Sequence, residues 1–218
     1  MLELDLDVRI DLPGWILWWA RLVVADVGPA PVAGLRATAS ERARESFTLE
    51  RLSQHPTVSA VRALFRQVGC DPTRYRPSSE ALLRRVLKGE DLPAIHPLVD
   101  LNNCISIALA VPACVIDAAS VTPPFVLRAG VEGESMLSLR GQFNLAGKPL
   151  LADARGPFGT PITDSERVKV SEGTREALLV AYLPASVLGP RDAEEVAQRL
   201  LAEVTLATVV GTTATGGA

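Results

Sequence analysis

Gly69-Cys70-Asp71-Pro72-Thr73-Arg74-Tyr75-Arg76-Pro77-Ser78-Ser79-Glu80-Ala81-Leu82-Leu83-Arg84-Arg85 reads as a stiff loop between two helices. Upstream, Val58, Val61, Leu64, Phe65 and Val68 recur at helical spacing, and Gly69 is placed to stop that helix. Asp71-Pro72 opens the loop and Pro77 closes it, so two fixed φ angles restrict the backbone while Asp71 can accept local amide bonds. Downstream, Ser78 or Ser79 is expected to cap a helix that carries Leu82, Leu83, Val86 and Leu87 and ends at Gly89.

Toward the N-terminus, Leu2, Leu4, Leu6, Val8 and Ile10 alternate with mostly charged neighbours, the period-2 pattern of a strand with one buried face. After a turn at Pro13-Gly14, Ile16 to Val24 is apolar on nearly every side and predicts a more central strand. Gly28-Pro29-Ala30-Pro31 is expected to be a linker or turn, and helical character begins near Thr38 and continues through Glu41 to Leu52 until His55-Pro56 breaks it.

Toward the C-terminus, Leu98 to Ala110 predicts a short helix, with Asp100 as its expected cap, and Ala113 to Ile116 a strand. Phe125 to Ala129, Met136 to Leu139 and Leu150 to Ala152 are brief β-type runs, with a hairpin turn expected at Glu132-Gly133-Glu134. Ala177 to Leu183 is another strand candidate, and Asp192 with Glu195 matches a capping box ahead of the stripe Val196, Leu200 and Val204. These patterns predict an α/β fold with mixed α and β elements, helices packed on a mixed β-sheet, in one domain over 1–210. N-terminal strands are expected over 1–27, a C-terminal helix over 190–205 and a frayed tail over 211–218.

Apolar residues make up 48% of the 218-residue chain and charged residues 22%, a globular balance. A net charge of -3 gives no general attraction to phosphate, so RNA contact requires a local patch. Three cysteines without CxxC spacing argue against a disulfide framework or closed metal site, and a reducing cytoplasm is the expected compartment. The acidic start does not match a signal peptide, and the longest apolar stretch, Ile16 to Ala25 with Arg21 inside it, is shorter than the roughly 20 residues a spanning helix needs. No membrane span, cofactor or metal is expected.

Arg74, Arg76, Arg84, Arg85 and Lys88 surround a single acid, Glu80, and form the best local candidate for phosphate contact, with Tyr75 as a base-stacking platform. The alternatives are a solvated helix face for the charges and a core anchor for Tyr75. Asn103 is the candidate for an adjacent polar pocket. Cys114 is a nucleophile only if a base or cation activates it, and the sequence supplies no partner. His55 and His96 each precede a proline, which favours a structural or exposed role. Thr160, Thr163 and Asp164 could frame the polar pocket, but no P-loop is present.

The 69–85 block, with Pro97-Leu98-Val99-Asp100-Leu101-Asn102-Asn103, Pro112, Glu132-Gly133-Glu134 and Thr160-Pro161-Ile162-Thr163-Asp164-Ser165, resembles the B3/B4 domain family of the phenylalanyl-tRNA synthetase β subunit, over about 41–183. In that synthetase the domain is associated with tRNA-related function and with hydrolysing tyrosine mischarged onto phenylalanine tRNA. The resemblance puts Asn103 on an asparagine of the editing pocket. Cys114 replaces the family's histidine, and the strand near Leu179 to Ala181 carries Val180 where the editing glutamate should fall. It therefore implies a module that binds tRNA, an aminoacyl-tRNA end or a small amino-acid-like ligand through Asn103, Cys114, Thr160, Thr163 and Asp164, with no catalytic residue of the known kind. Trans hydrolysis of misacylated tRNA is the enzymatic alternative. A protein-interaction or oligomeric scaffold is the third reading, for which exposed Trp15, Trp18 and Trp19 would speak.

Overall fold

The computed structural model describes residues 2–25 and 31–217. The expected linker residues Gly28, Pro29 and Ala30 lie outside them, and Pro31 already starts a helix. In chain order the elements are β1 (Leu2–Glu3), β2 (Val8–Ile10), β3 (Trp15–Val24), α1 (Pro31–Ser46), α2 (Pro56–Gln67), α3 (Ser78–Leu87), α4 (Pro97–Leu109) and β4 (Ala113–Asp117). They continue with β5 (Phe125–Ala129), β6 (Ser135–Ser138), β7 (Gly141–Asn144), β8 (Pro149–Asp153), β9 (Gly156–Gly159), β10 (Glu176–Pro184), α5 (Pro190–Ala202) and β11 (Ala207–Gly216). The fold is α/β, with five described helices packed against mixed and antiparallel sheets.

The larger sheet runs β1-β11-β3-β10-β4, a smaller one β2-β5-β8-β9, and β6 pairs only with β7. Trp18, Trp19 and Ala20 are consecutive and fully buried, so both faces of β3 are covered, as its unbroken apolar run predicts. On the Trp19 face an aromatic chain joins the two sheets. Trp19 stacks on Phe125 of β5 at 5.2 Å, and Phe125 meets Phe158 of β9 edge-on at 6.1 Å. Trp15 continues that face with edge contact to Tyr182 of β10 and a tilted contact to Phe65 of α2, both at 6.3 Å.

Several expectations are corrected. The alternating N-terminal run is not one strand: Leu2 and Glu3 pair in parallel with β11, whereas Val8 to Ile10 pair in parallel with β5 of the other sheet. The charged segment between them crosses from sheet to sheet. The expected frayed tail is strand over most of its length, because β11 runs antiparallel to β3 from Ala207 opposite Val24 to Gly216 opposite Ile16, with a bulge between Val209 and Gly211. Ladder hydrogen bonds do not require large side chains, and threonine suits the pleat.

The helix starts also shift. Pro77, not either serine, precedes α3; Ser79 is buried and donates to the Ala110 carbonyl at 3.4 Å, while Ser78 N donates to Pro161 O at 2.9 Å. His96 caps α4 by accepting from Leu98 N at 3.3 Å, and Asp100 accepts from Ile95 N at 2.9 Å. In α5 Asp192 sits one turn inside the helix and accepts from Gly189 N at 2.7 Å, because Pro190 provides an earlier start. The Glu132-Gly133-Glu134 turn is not a hairpin, since β5 and β6 belong to different sheets. It is held by Glu134, which receives Arg128 Nη1 at 2.9 Å and Val131 N at 3.0 Å.

Candidate functional site

Residues 159–164 fold back on themselves to present Asp164 to the end of the larger sheet. Thr160 Oγ1 accepts from Thr163 N at 2.9 Å and Ile162 N at 3.1 Å and donates to Thr163 O at 2.8 Å. Thr160 thus builds the turn, and Gly159 bridges to Asp164 across it. Asp164 is half-buried as a residue, yet its Oδ1 is fully enclosed and has no hydrogen-bond partner among the described residues. Burial pushes its carboxyl up to about 7.

Cys114 stands on β4 directly opposite Val180 of β10, and Tyr182 lies two residues along the same face. All three are buried. The phenol oxygen of Tyr182 also has no hydrogen-bond partner among the described residues, nor has Nε1 of Trp19 on the same face of β3. Burial, reinforced by the neighbouring Asp164, pushes the Cys114 thiol well above its ordinary range. Burial likewise pushes Cys70 to about 11 and Cys104 to about 12, so the three free cysteines are neutral thiols at physiological pH and poor nucleophiles.

Of the five predicted ligand residues, the structure brings Cys114 and Asp164 together around Tyr182 and leaves Thr160 as the support of the turn. Asn103 is buried in α4, but Asn102 is the amide that reaches β4, donating Nδ2 to Ala113 O at 3.1 Å while its own Oδ1 is buried without a partner. Asn102, Tyr182 and Trp19 were not legible as site residues, because the last two sit in apolar strand runs and Asn102 differs from its neighbour only by helix phase. The two described clefts lie elsewhere, among α1, α4 and α5. One of about 180 Å³ is lined by residues including Arg42 and Arg199, the other, of about 330 Å³, by residues including His55 and Glu195. Neither touches the predicted ligand residues.

The basic loop divides in two. Glu80 is buried and accepts Arg62 Nη1 at 2.9 Å and Arg84 Nε at 2.9 Å, with Arg76 Nε farther off at 3.8 Å. Arg85 pairs with Glu90 at 3.0 Å and donates to Asp91 O at 2.8 Å. Arg84 is therefore engaged in holding the fold through Glu80, while Arg85, although paired, is exposed like Arg74, Arg76 and Lys88. Tyr75 is half-buried between Lys148, whose Nζ lies 4.0 Å from the ring centroid, and Phe143, met edge-on at 6.3 Å, with Arg74 at 5.2 Å. It anchors the loop, and the nearly buried Lys148 beneath it was not foreseen. Among the described residues no cluster of three or more His, Cys, Asp or Glu could hold a metal ion, and no helix is long and apolar enough to cross a membrane.

Comparison with known proteins gives a consistent match. The family model described as the B3/4 domain matches residues 60–196. The phenylalanine–tRNA ligase beta subunit of Bartonella henselae is 32% identical over 109 residues, which cover 49% of this chain and 14% of the relative. A crystal structure of an N-terminal fragment of the phenylalanyl-tRNA synthetase beta-subunit from Pyrococcus horikoshii superposes with a TM-score of 0.51 at 13% identity, over 96% of this chain and 51% of that fragment. That likeness is one of fold. The chain thus spans only a small part of the ligase subunit and about half of the solved fragment.

Proposed function

The chain belongs to the B3/4 domain family, and from that premise we propose that it recognises tRNA, an aminoacyl-tRNA end or a related small amino-acid-like ligand without performing the family's editing chemistry. The observation that carries this reading is the pairing of Cys114 with Val180. The resemblance assigns a histidine and a glutamate to those two positions, and here they hold a neutral thiol and an aliphatic side chain, neither of which can orient or activate water. Recognition needs only complementary contacts. The exposed Arg74, Arg76 and Lys88 form the rim available to phosphate, and Asp164 and Tyr182 carry enclosed polar atoms without a described partner nearby.

One observation favours hydrolysis as a second reading. Asp164 is a carboxyl near neutrality that could accept a proton from water attacking the aminoacyl ester, with the tRNA 3′ oxygen leaving as a hydroxyl. The scaffold reading loses its support, because Trp15, Trp18 and Trp19 are all buried in the sheet interior.

The test is tRNA binding with and without an aminoacyl group, across a salt series, together with incubation on tyrosylated phenylalanine tRNA. The expected result is salt-sensitive binding that weakens when Arg74 and Arg76 are both changed to Ala, with no release of amino acid above the protein-free rate. Absence of binding at any salt overturns the recognition reading, and Asp164-dependent release of amino acid replaces it with the hydrolase.

A further inference from the structure

The two clefts among α1, α4 and α5 are halves of one groove. Both are lined by Ser46 and Phe47 from the end of α1 and by Ala108 of α4, so they meet over the last turn of α4. Helical spacing builds the walls. Arg42, Ser46 and Phe47 share one stripe of α1 with Ala39 and Ala43, and Asp192, Glu195, Val196 and Arg199 follow one another along a single face of α5. The halves hold about 180 Å³ and about 330 Å³, and together they reach the size of small-molecule sites.

The groove carries opposite charge at its two ends. Arg42 and Arg199 line the smaller half, Asp192 and Glu195 the larger. Little of this charge is neutralised within the chain. Arg42 meets Glu203 only at 3.8 Å, with both side chains exposed, and Asp192 gives one oxygen to the Gly189 amide. Arg199 and Glu195 enter none of the ion pairs formed among the described residues, although one turn of α5 separates them. The acidic half has further features that suit a cation. His55 Nδ1 is enclosed without a hydrogen-bond partner among the described residues, and burial lowers the pKa of the ring, which leaves a neutral imidazole nitrogen able to accept from an N–H group. Phe47 packs on His55 at 4.9 Å and gives that end an aromatic wall. The carbonyl of Ala108 sits at the negative end of α4, and the residue four positions on is Pro112, which has no amide to donate to it.

Distance then selects the guest. At 1.5 Å per residue, Glu195 and Arg199 stand about 6 Å apart along α5, and Asp192 and Arg199 about 10 Å. A lone anion or a lone cation matches one end only. An α-amino acid, with its charges on neighbouring carbons, is too short to reach both. We propose that the groove is a second binding site, for a small zwitterion whose carboxylate lies on Arg42 and Arg199 and whose ammonium or guanidinium group, about 8 Å away, lies on Glu195 and Asp192. The ligand class is ω-amino and ω-guanidino carboxylates, with a methylene chain resting on the apolar floor of Ile107, Ala108 and Leu109. The groove touches neither Asn103, Cys114 nor Asp164, so this site stands apart from the recognition reading.

The test uses the whole chain with 6-aminohexanoate as the probe, against hexanoate, hexylamine and the shorter 3-aminopropanoate. Binding is read by calorimetry and by the ring-proton resonances of His55, with His96, at the opposite end of α4, as internal reference. The full-length zwitterion is expected to bind about tenfold tighter than each analogue or better, the scale of one charge-assisted contact, and to move the His55 resonances but not those of His96. Arg199→Gln should reduce its affinity to that of hexylamine, and Glu195→Gln to that of hexanoate. Both residues are exposed, so both variants should melt with the parent. Equal affinity for the four compounds overturns the proposal, as do unchanged affinity in both variants and His55 resonances unmoved by up to about 10 mM probe. Loss of tRNA binding while the zwitterion still binds removes the recognition reading alone.

Discussion

Burial of Asp164 without a cation makes stability depend on pH in a window set by two states. In the unfolded chain an aspartate titrates near about 3.9. In the fold, burial holds it at about 7. Between those values the folded protein retains a proton that the unfolded chain releases, so this residue's contribution to stability falls as pH rises from about 4 to about 7 and is level beyond. Asp153 and Glu134 act in the opposite direction and in another window. Although burial works against the charge of Asp153, Arg167 and the amides of Thr122 and Arg155 hold its carboxyl low; Arg128 does the same for Glu134. Their contribution is present above about 4 and is lost in acid below it. The melting temperature of Asp164→Asn relative to the parent should therefore rise steadily from pH 4 to 7 by roughly the amount the parent loses. A pH-independent difference would show that Asp164 titrates normally. Glu80 makes a second single-residue case. With Arg62 and Arg84 both gathered on it, Glu80→Ala leaves two partly buried guanidinium groups unpaired, and denaturant unfolding should show a loss of about 3 kcal/mol. The sequence placed Asp164 in a polar block and Glu80 among arginines, but the second partner of Glu80, Arg62, lies 18 residues away on another helix and could not be read from local spacing.

Elements were legible where a local pattern and the burial it reports coincide. The central strand β3, the apolar stripe of α2 with its start at Pro56, and β5 over Phe125–Ala129 follow directly from spacing and turn formers, whereas α1 runs from Pro31 to Ser46 rather than from Thr38 to Leu52, ending well before His55-Pro56. Element ends were harder to place, because proline moves a helix start toward the N-terminus, as at α5, and a distant backbone carbonyl can stand in for a side-chain cap, as Pro161 O does for Ser78 N at α3. Strand β11 was hidden for a different reason. Its Thr, Gly and Ala residues bury little, and its order comes from pairing with β3 at the far end of the chain, as Trp18 opposite Ala214 illustrates. It follows that deleting residues 207–217 exposes the edge of an apolar central strand, Trp-rich on both faces. The truncated protein is expected to lose cooperative unfolding and to associate, read by thermal melting and light scattering; a monomer melting within a few degrees of the parent would show that β11 is dispensable.

The two larger sheets are joined through an aromatic seam, with the candidate site at one end of that seam. Trp19 is the seam's central contact, so Trp19→Ala should cost about 3–5 kcal/mol and loosen the approach of β9 to β10, lowering ligand affinity along with stability. By contrast Arg74→Ala, on the exposed loop, should leave the melting temperature within about a degree or two while reducing tRNA affinity. The α/β class and the family were readable because blocks such as 69–85 and 160–165 are contiguous. The composition of the site was not, because Tyr182, Trp19 and Asn102 join it only when strands and a helix converge.

The register between β4 and β10 bears on reversibility. Residues 114 and 180 are far apart in the chain but face each other on adjacent strands, where opposed Cα atoms stand about 5 Å apart. Two codon changes, to histidine at one and glutamate at the other, would set an imidazole beside a carboxylate with no change in backbone path. The cost of such a pair would be its desolvation inside the sheet rather than any rebuilding of the scaffold.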